Sequence, residues 1–256
     1  MGATVSWISA VPVKALALED LTEVELLERG LRGDRCFYLV DESNRLVNNK
    51  GQRGPLQLVH AAFDERAPWL TLRFPDGTTV DGEPVRGEEL TTSFHRRPRA
   101  ARRVAGPWDE ALSETARQSI RLVAADVGAD RGRGGAATLL GEASLEAIAG
   151  VLGVDEVDPR RFRMNFGIDG LEAHEEDAWI GRRIQVGEAV VVPQGNVGRC
   201  AITTQNPDTG QVDLDTLQAL ADYRGEVETT EPLPFGIHAA VAEPGRVRLG
   251  DPVLPL

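Results

Sequence analysis

What the chain has least of decides the first exclusions. Two cysteines, Cys36 and Cys200, are too few for a disulfide framework, a Cys-rich zinc site or an iron–sulfur cluster held within the chain. Two lysines, Lys14 and Lys50, leave arginine to supply nearly all the positive charge. Four histidines, His60, His95, His174 and His238, are scattered without metal-ligand spacing. No apolar run approaches the roughly 20 residues that a membrane span needs. Residues 1–13 lack the basic start and apolar core of a signal peptide. A phosphate-binding Walker loop, a dinucleotide fingerprint and a nucleophile elbow are missing too. The expectation is a soluble cytoplasmic protein that makes no use of a membrane.

Negative charge is what the chain has in excess, with a net charge of -12 and a pI near 4.9. Such a surface repels phosphate backbones, so no nucleic-acid partner is expected. The basic run Arg96, Arg97, Arg99, Arg102 and Arg103 lacks interleaved aromatics and reads as a solvated loop or hairpin. The acidic cluster Glu172, Glu175, Glu176 and Asp177 reads as a wet surface.

With 256 residues, 41% of them hydrophobic, the chain can form one large or two modest domains. Ala3–Ile8, Cys36–Val40, Trp69–Phe74, Ile120–Val123 and Ala189–Val192 read as strands from their β-branched and aromatic content. Turn chemistry such as Pro75-Asp76-Gly77 and Asp169-Gly170 separates them. Three helices are expected: Trp108–Arg117 starting at Pro107, Ala143–Leu152 stopping at Gly153, and Leu214–Tyr223 capped by Asp213. The fold class is therefore mostly β (α+β), a barrel-like architecture with a few short helices. The Gly- and Arg-rich stretch Gly128–Gly135 looks like a connection, which divides the chain into residues 1–125 and 126–256.

The strongest chemical signal is Gly198-Arg199-Cys200-Ala201-Ile202-Thr203-Thr204, followed by the turn Asn206-Pro207-Asp208-Thr209-Gly210. A cysteine next to arginine and near hydroxyls sits where a thiolate is favoured, the form that binds a soft metal or attacks an electrophile. A buried cysteine in a strand explains the same residues. Cys36, opening Cys-Phe-Tyr-Leu-Val, reads as a core residue. Arg161, Arg163 and Asn165 share one face if their segment is extended, which suits phosphate or carboxylate, or a solvated strand face paired with acids. Lys14 and Arg35 are further candidates for an anion site, or ordinary surface charges.

Taken in order, Pro12-Val13-Lys14, Gly33-Asp34-Arg35, Glu142-Ala143-Ser144-Leu145, Arg161-Phe162-Arg163-Met164-Asn165, Arg199-Cys200, Pro207-Asp208-Thr209-Gly210, Phe235-Gly236 and Gly250-Asp251 resemble the MOSC-domain proteins. In particular they are similar to the group containing the mitochondrial amidoxime-reducing component and its bacterial relatives. The resemblance implies a MOSC β-barrel over 126–256 with an N-terminal MOSC-associated β-barrel domain over 1–125. It implies a molybdenum cofactor, a molybdenum–molybdopterin, with Cys200 as catalytic residue and metal ligand. Lys14, Arg35, Arg163, Asn165 and Arg199 are its implied cofactor-binding residues. Three positions depart from the family pattern: Ala15 replaces a serine that often follows the lysine, Gly198 stands where amidoxime reducers tend to have serine, and Met164 replaces a proline.

The function so implied is a molybdenum-dependent oxidoreductase that reduces a small-molecule substrate with an N-hydroxyl or related N–O or S–O group. Its electrons would come from a separate electron-donor protein carrying flavin or an iron–sulfur centre. The alternative is a carrier that holds the cofactor, or a persulfide on Cys200, without turnover.

Overall fold

A computed structural model describes residues 2–49, 54–125, 130, 132–229 and 231–256. Lys50 and, within the expected connection Gly128–Gly135, Gly128, Ala129 and Arg131 lie outside the described residues. Strand accounts for 43% of the chain and helix for 20%, so the mostly-β α+β class holds.

The largest sheet runs, in spatial order, through Val253–Pro255, Ile184–Val186, Ala189–Gly198, Pro234–Glu243, Ala137–Gly141, Phe166–Asp169, Thr4–Ala10 and Glu19–Leu21. All its ladders are antiparallel except the one between Ala137–Gly141 and Phe166–Asp169. Parallel neighbours need a long crossover, and the helix Glu142–Leu152 supplies it. Residues near the N-terminus are therefore sewn into a sheet built mostly from the second half. Glu23–Leu27 extends the same arrangement by pairing with Gly245–Arg248.

A second sheet orders Val85–Phe94, Arg97–Ala105, Arg121–Ala124, Phe37–Val40 and Leu46–Val47. Beside it lies the meander His60–Asp64, Trp69–Arg73 and Thr79–Gly82. Leu39, Leu70, Trp108 and Leu122 meet in one apolar core of this part, while Ile8, Leu139, Phe166 and Ile237 meet in the core of the large sheet.

The barrel expectation is corrected: none of these sheets is closed. The large sheet comes near closure at a single bridge, Thr4 to Pro252, flanked by Val5 N–H to Asp251 O at 2.9 Å. Gly250 N–H to Val5 O at 2.8 Å and Val253 N–H to Ala3 O at 2.9 Å flank the same bridge.

The five expected strands are present, shifted by at most a few residues at their ends. Of the helices, α1 (Trp108–Ala116) begins one residue after Pro107, and α2 (Glu142–Leu152) ends at Gly153, whose φ of 69° is the left-handed cap that glycine takes most easily. The third, α3 (Thr216–Arg224), is capped by Asp215, which accepts from the Gln218 N–H at 3.2 Å. The expected cap, Asp213, is instead drawn away by Arg161 and Asn206. Among the described residues, no helix is long and apolar enough to cross a membrane.

Candidate functional site

Two short segments lie side by side and place two cations together. Val11 N–H donates to Asp34 Oδ1 at 2.8 Å, Arg35 N–H to Val11 O at 2.7 Å, and Lys14 N–H to Phe37 O at 2.9 Å. Lys14 then occupies a turn closed by Leu16 N–H to Val13 O at 3.2 Å, with Ala15 at φ 86°. That φ belongs to glycine in ordinary turns and costs a non-glycine residue roughly 1–3 kcal/mol.

From the other half comes the segment around Arg163. The extended form on which a shared face for Arg161, Arg163 and Asn165 depends is absent here: Pro159–Phe162 forms a 3-10 turn capped by Asp158, and Arg163 follows at φ 53°. The turn breaks the two-residue alternation, so Arg161 and Arg163 part company. Arg161 goes to Asp213 at 2.7 Å, whereas Arg163 Nη2 donates to Leu16 O at 2.7 Å. Opposite them the strand Ala189–Gly198 ends, and Cys200 leads into the turn Ala201–Thr204.

These segments enclose a cavity of about 310 Å³, and Lys14, Arg35, Arg163, Asn165, Arg199 and Cys200 all line it. Among the described residues five cationic side chains face it against two carboxylates, Asp34 and Asp130. In a chain of net charge -12 this is a local reversal that attracts an anion. Ala15, Arg35, His95 and Arg163, four of its lining residues, have positive φ. Strain of this kind concentrates at ligand sites.

The six residues do different work. Lys14 Nζ meets Asp130 Oδ1 at 2.8 Å, and burial, with help from Arg35 and Arg163, pulls its pKa below the usual 10.5. Burial also opposes charge on Arg35, but Asp34 at 2.5 Å and Asp130 at 3.5 Å outweigh it and hold the guanidinium firmly protonated. Burial and the neighbouring Arg35 lower Arg163 to about 10, and it stays charged at neutral pH. Asn165 is 3% exposed and fully engaged: its Oδ1 accepts from Thr138 at 2.9 Å, and its Nδ2 donates to Ser9 O at 3.2 Å and Asp34 Oδ2 at 3.3 Å. It thus steadies the carboxylate that steadies Arg35. Arg199 donates to Phe162 O at 2.7 Å and Phe235 O at 2.9 Å and lies 5.4 Å from the Phe162 ring, so it ties the residue before Cys200 to two other segments of the cavity region.

Cys200 is half-buried, and only its carbonyl is engaged, accepting from Thr203 N–H and Oγ1–H at 3.1 Å each. Next to it, Gly198 has no room for a side chain: a Cβ there would lie 2.7 Å from Glu231 Cβ and 2.9 Å from Pro232 O. That explains why serine does not stand here.

Sequence reasoning missed Asn49, Thr138 and Asp130. Asn49 lines the cavity, is 2% exposed, and donates to Ala15 O, while its Oδ1 has no hydrogen-bond partner among the described residues. No local pattern marks it, because its neighbours arrive from distant parts of the chain. Of the acidic cluster, Glu172 and Glu175 are exposed as expected, and Glu176 is the correction. Glu176 is 0% exposed, and burial raises its pKa although Ser144 Oγ donates to it at 2.9 Å.

A family model described as the MOSC domain matches residues 102–254. The chain is 36% identical to mitochondrial amidoxime-reducing component 1 of Mus musculus, over 98% of this chain and 81% of that protein. It is 26% identical to mitochondrial amidoxime reducing component 2 of Rattus norvegicus, over 98% of this chain and 82% of that protein. Over 27% of this chain and 8% of the other, it is 37% identical to a molybdenum cofactor sulfurase of Oryza sativa subsp. japonica. With the domain model covering more than half its length and the mouse relative nearly all of it, this chain belongs to the MOSC-domain family.

Proposed function

We propose that the cavity holds a molybdenum–pterin cofactor and that the protein is a reductase of small molecules bearing N-hydroxyl, N–O or S–O groups. The observation that carries this reading is the donor set in one cavity: a half-buried thiol, the buried Arg35, the half-buried Lys14 and Arg163, and an amide oxygen without a partner among the described residues. The fit is chemical. Lys14, Arg35 and Arg163 suit a phosphate. Asn49 Oδ1, buried without a partner, suits an N–H of a heterocycle. Among the described residues no three His, Cys, Asp or Glu side chains are grouped to hold a metal. A metal at Cys200 would therefore take its other ligands from the cofactor.

In this reading residues 1–125 and 126–256 act as two domains that close on the cavity. The first contributes Lys14, Arg35 and Asn49, and the second Arg163, Asn165, Arg199 and Cys200. When bound, such a cofactor supplies two-electron oxygen-atom transfer, the hard part of the chemistry. The chain's own residues hold and orient it: Cys200 offers the one protein sulfur, Arg199 anchors the chain just before it, and Asn165 acts through Asp34 on Arg35. Electrons come from a separate flavin or iron–sulfur protein. Both cysteines are free, which suits the reducing cytoplasm.

Molybdenum and oxidised-pterin content, measured on wild type and Cys200→Ser purified from a cofactor-making host, tests the reading. Near-stoichiometric metal and pterin in wild type, with metal lost in the variant, is expected. Absence of both from folded wild type would overturn it. The likeness to a molybdenum cofactor sulfurase favours a second reading, a carrier of cofactor or of persulfide on Cys200. Turnover of an N-hydroxylated substrate by loaded protein with a chemical reductant separates the reductase from the carrier.

A further inference from the structure

A second cavity, of about 500 Å³, adjoins the first and shares Arg163 and Ile202 with it. Its wall carries Arg73, Arg160 and Arg161 besides Arg163, and the one carboxylate is Asp208. Arginine is the side chain best shaped for phosphoryl oxygens, which its planar fork meets two at a time. The size falls within the range of small-molecule sites.

The four guanidinium groups differ in what already satisfies them. Arg160 is held by Asp158 at 2.6 Å and Asp208 at 2.9 Å. Arg161 is 5% exposed and pairs with Asp213, yet its Nε and Nη1 find no hydrogen-bond acceptor of proper geometry. Arg163 donates to Leu16 O, and neither it nor Arg73 has an ion-pair partner among the described residues. Arg73 without a carboxylate, Arg163 shared with the first cavity, and the buried Arg161 with an unmet Nε therefore surround this second space. Buried donors left unmet cost free energy, and an anion is the partner that would relieve it.

A line of amides ties this space to the first cavity. Gln205, on the wall of the second, donates through Nε2 to Asn49 O at 2.6 Å, and Asn49 lines the first. Gln57 Nε2 donates to Asn206 O at 2.5 Å and fixes the loop that carries Asp208. The walls are thus braced by side chains from both halves of the chain.

We propose that the second cavity is a phosphoryl-anion subsite, gripped by Arg73, Arg161 and Arg163. The phosphoryl group belongs either to a phosphorylated small molecule that binds freely or to a nucleotide extension of the ligand in the first cavity. Binding in the second cavity does not require the molybdenum reading, because it is measured without the cofactor.

The test is calorimetric titration of cofactor-free protein with inorganic pyrophosphate. Two equivalents are expected, one lost in Lys14→Ala and the other weakened at least about tenfold in Arg73→Ala, in line with loss of one charged hydrogen-bond donor. Arg73 is exposed at the end of the strand Trp69–Arg73, so its variant keeps the fold, while Arg161→Gln serves as the buried counterpart. A single equivalent, abolished by Lys14→Ala and untouched by Arg73→Ala, would overturn the subsite. With two equivalents found, the same titration on cofactor-loaded protein separates the sources. A second equivalent still open assigns it to a free ligand, and one blocked, with nucleotide released on acid treatment, assigns it to the cofactor.

Discussion

The two cysteines belong to the same burial class, yet their surroundings are opposed. Cys36 donates from Sγ to Glu65 Oε1 at 3.1 Å, and burial together with that carboxylate pushes its thiol far above the ordinary range. Cys200 shares a cavity wall with Lys14, Arg35 and Arg163, and among the described residues no side chain claims its sulfur. The two thiols thus differ in the sign of the charge in their surroundings rather than in the depth at which they lie.

The largest test of that contrast is chemical. In the folded protein, iodoacetamide at pH 8 should modify Cys200 at least ~100-fold faster than Cys36, read by peptide mass spectrometry. Comparable rates would break the contrast, and Glu65→Gln should narrow the gap by removing the acid. On the cavity side, Arg163→Ala should lower retained pterin about tenfold, since a charged donor is worth about 1.5–3 kcal/mol. Cys36→Ser should leave pterin content as in wild type, and an equal loss in both variants would mean that the cavity residues have no special part.

A third variant asks how tightly Cys200 is framed. Gly198→Ser should destabilise the fold by about 1–3 kcal/mol in urea, because the added atoms meet Glu231 and Pro232. An unchanged midpoint would show that those neighbours give way.

The smallest effect concerns pH. Burial, with Arg35 and Arg163 nearby, lowers the pKa of Lys14 below 10.5, so it loses its proton earlier than a free lysine as pH rises. Pyrophosphate affinity at the first cavity should therefore fall a few-fold on the alkaline side. Lys14→Arg should flatten that fall, and an identical profile would remove Lys14 from the anion site.

Much of this contrast was legible in the sequence, and the reasons for the rest are physical. Arg199-Cys200, Lys14 and Gly33-Asp34-Arg35 stand in short segments whose residue types announce them. The strand Phe37–Val40 was equally visible, since four consecutive buried apolar residues have few other uses. A face shared by Arg161 and Arg163 needs an extended segment, whereas Pro159 favours a turn, and that turn leaves Arg163 on both cavities and Arg161 on the second alone. Asn49 and Thr138 were invisible because only the tertiary fold brings them to Ala15 and Asn165. Glu176 was taken for surface because a buried carboxylate looks like any other acid until Ser144 and the Gly141 N–H are seen around it.

The pairing of Thr4–Ala10 with Phe166–Asp169, and of Glu23–Leu27 with Gly245–Arg248, has a consequence for how the chain is made. During synthesis the first strands emerge long before their partners. Until then Thr4–Ala10 and Glu23–Leu27 have only their near neighbours Glu19–Leu21 and Gly30–Leu31 to pair with. Topologies of such high sequence separation close slowly, because loop entropy is lost before distant contacts form. The acidic and charged positions along Glu19–Leu21 and Glu23–Leu27 keep those waiting edges soluble. The anion cavity, whose walls come from both ends of the chain, is then among the last features of the molecule to take shape.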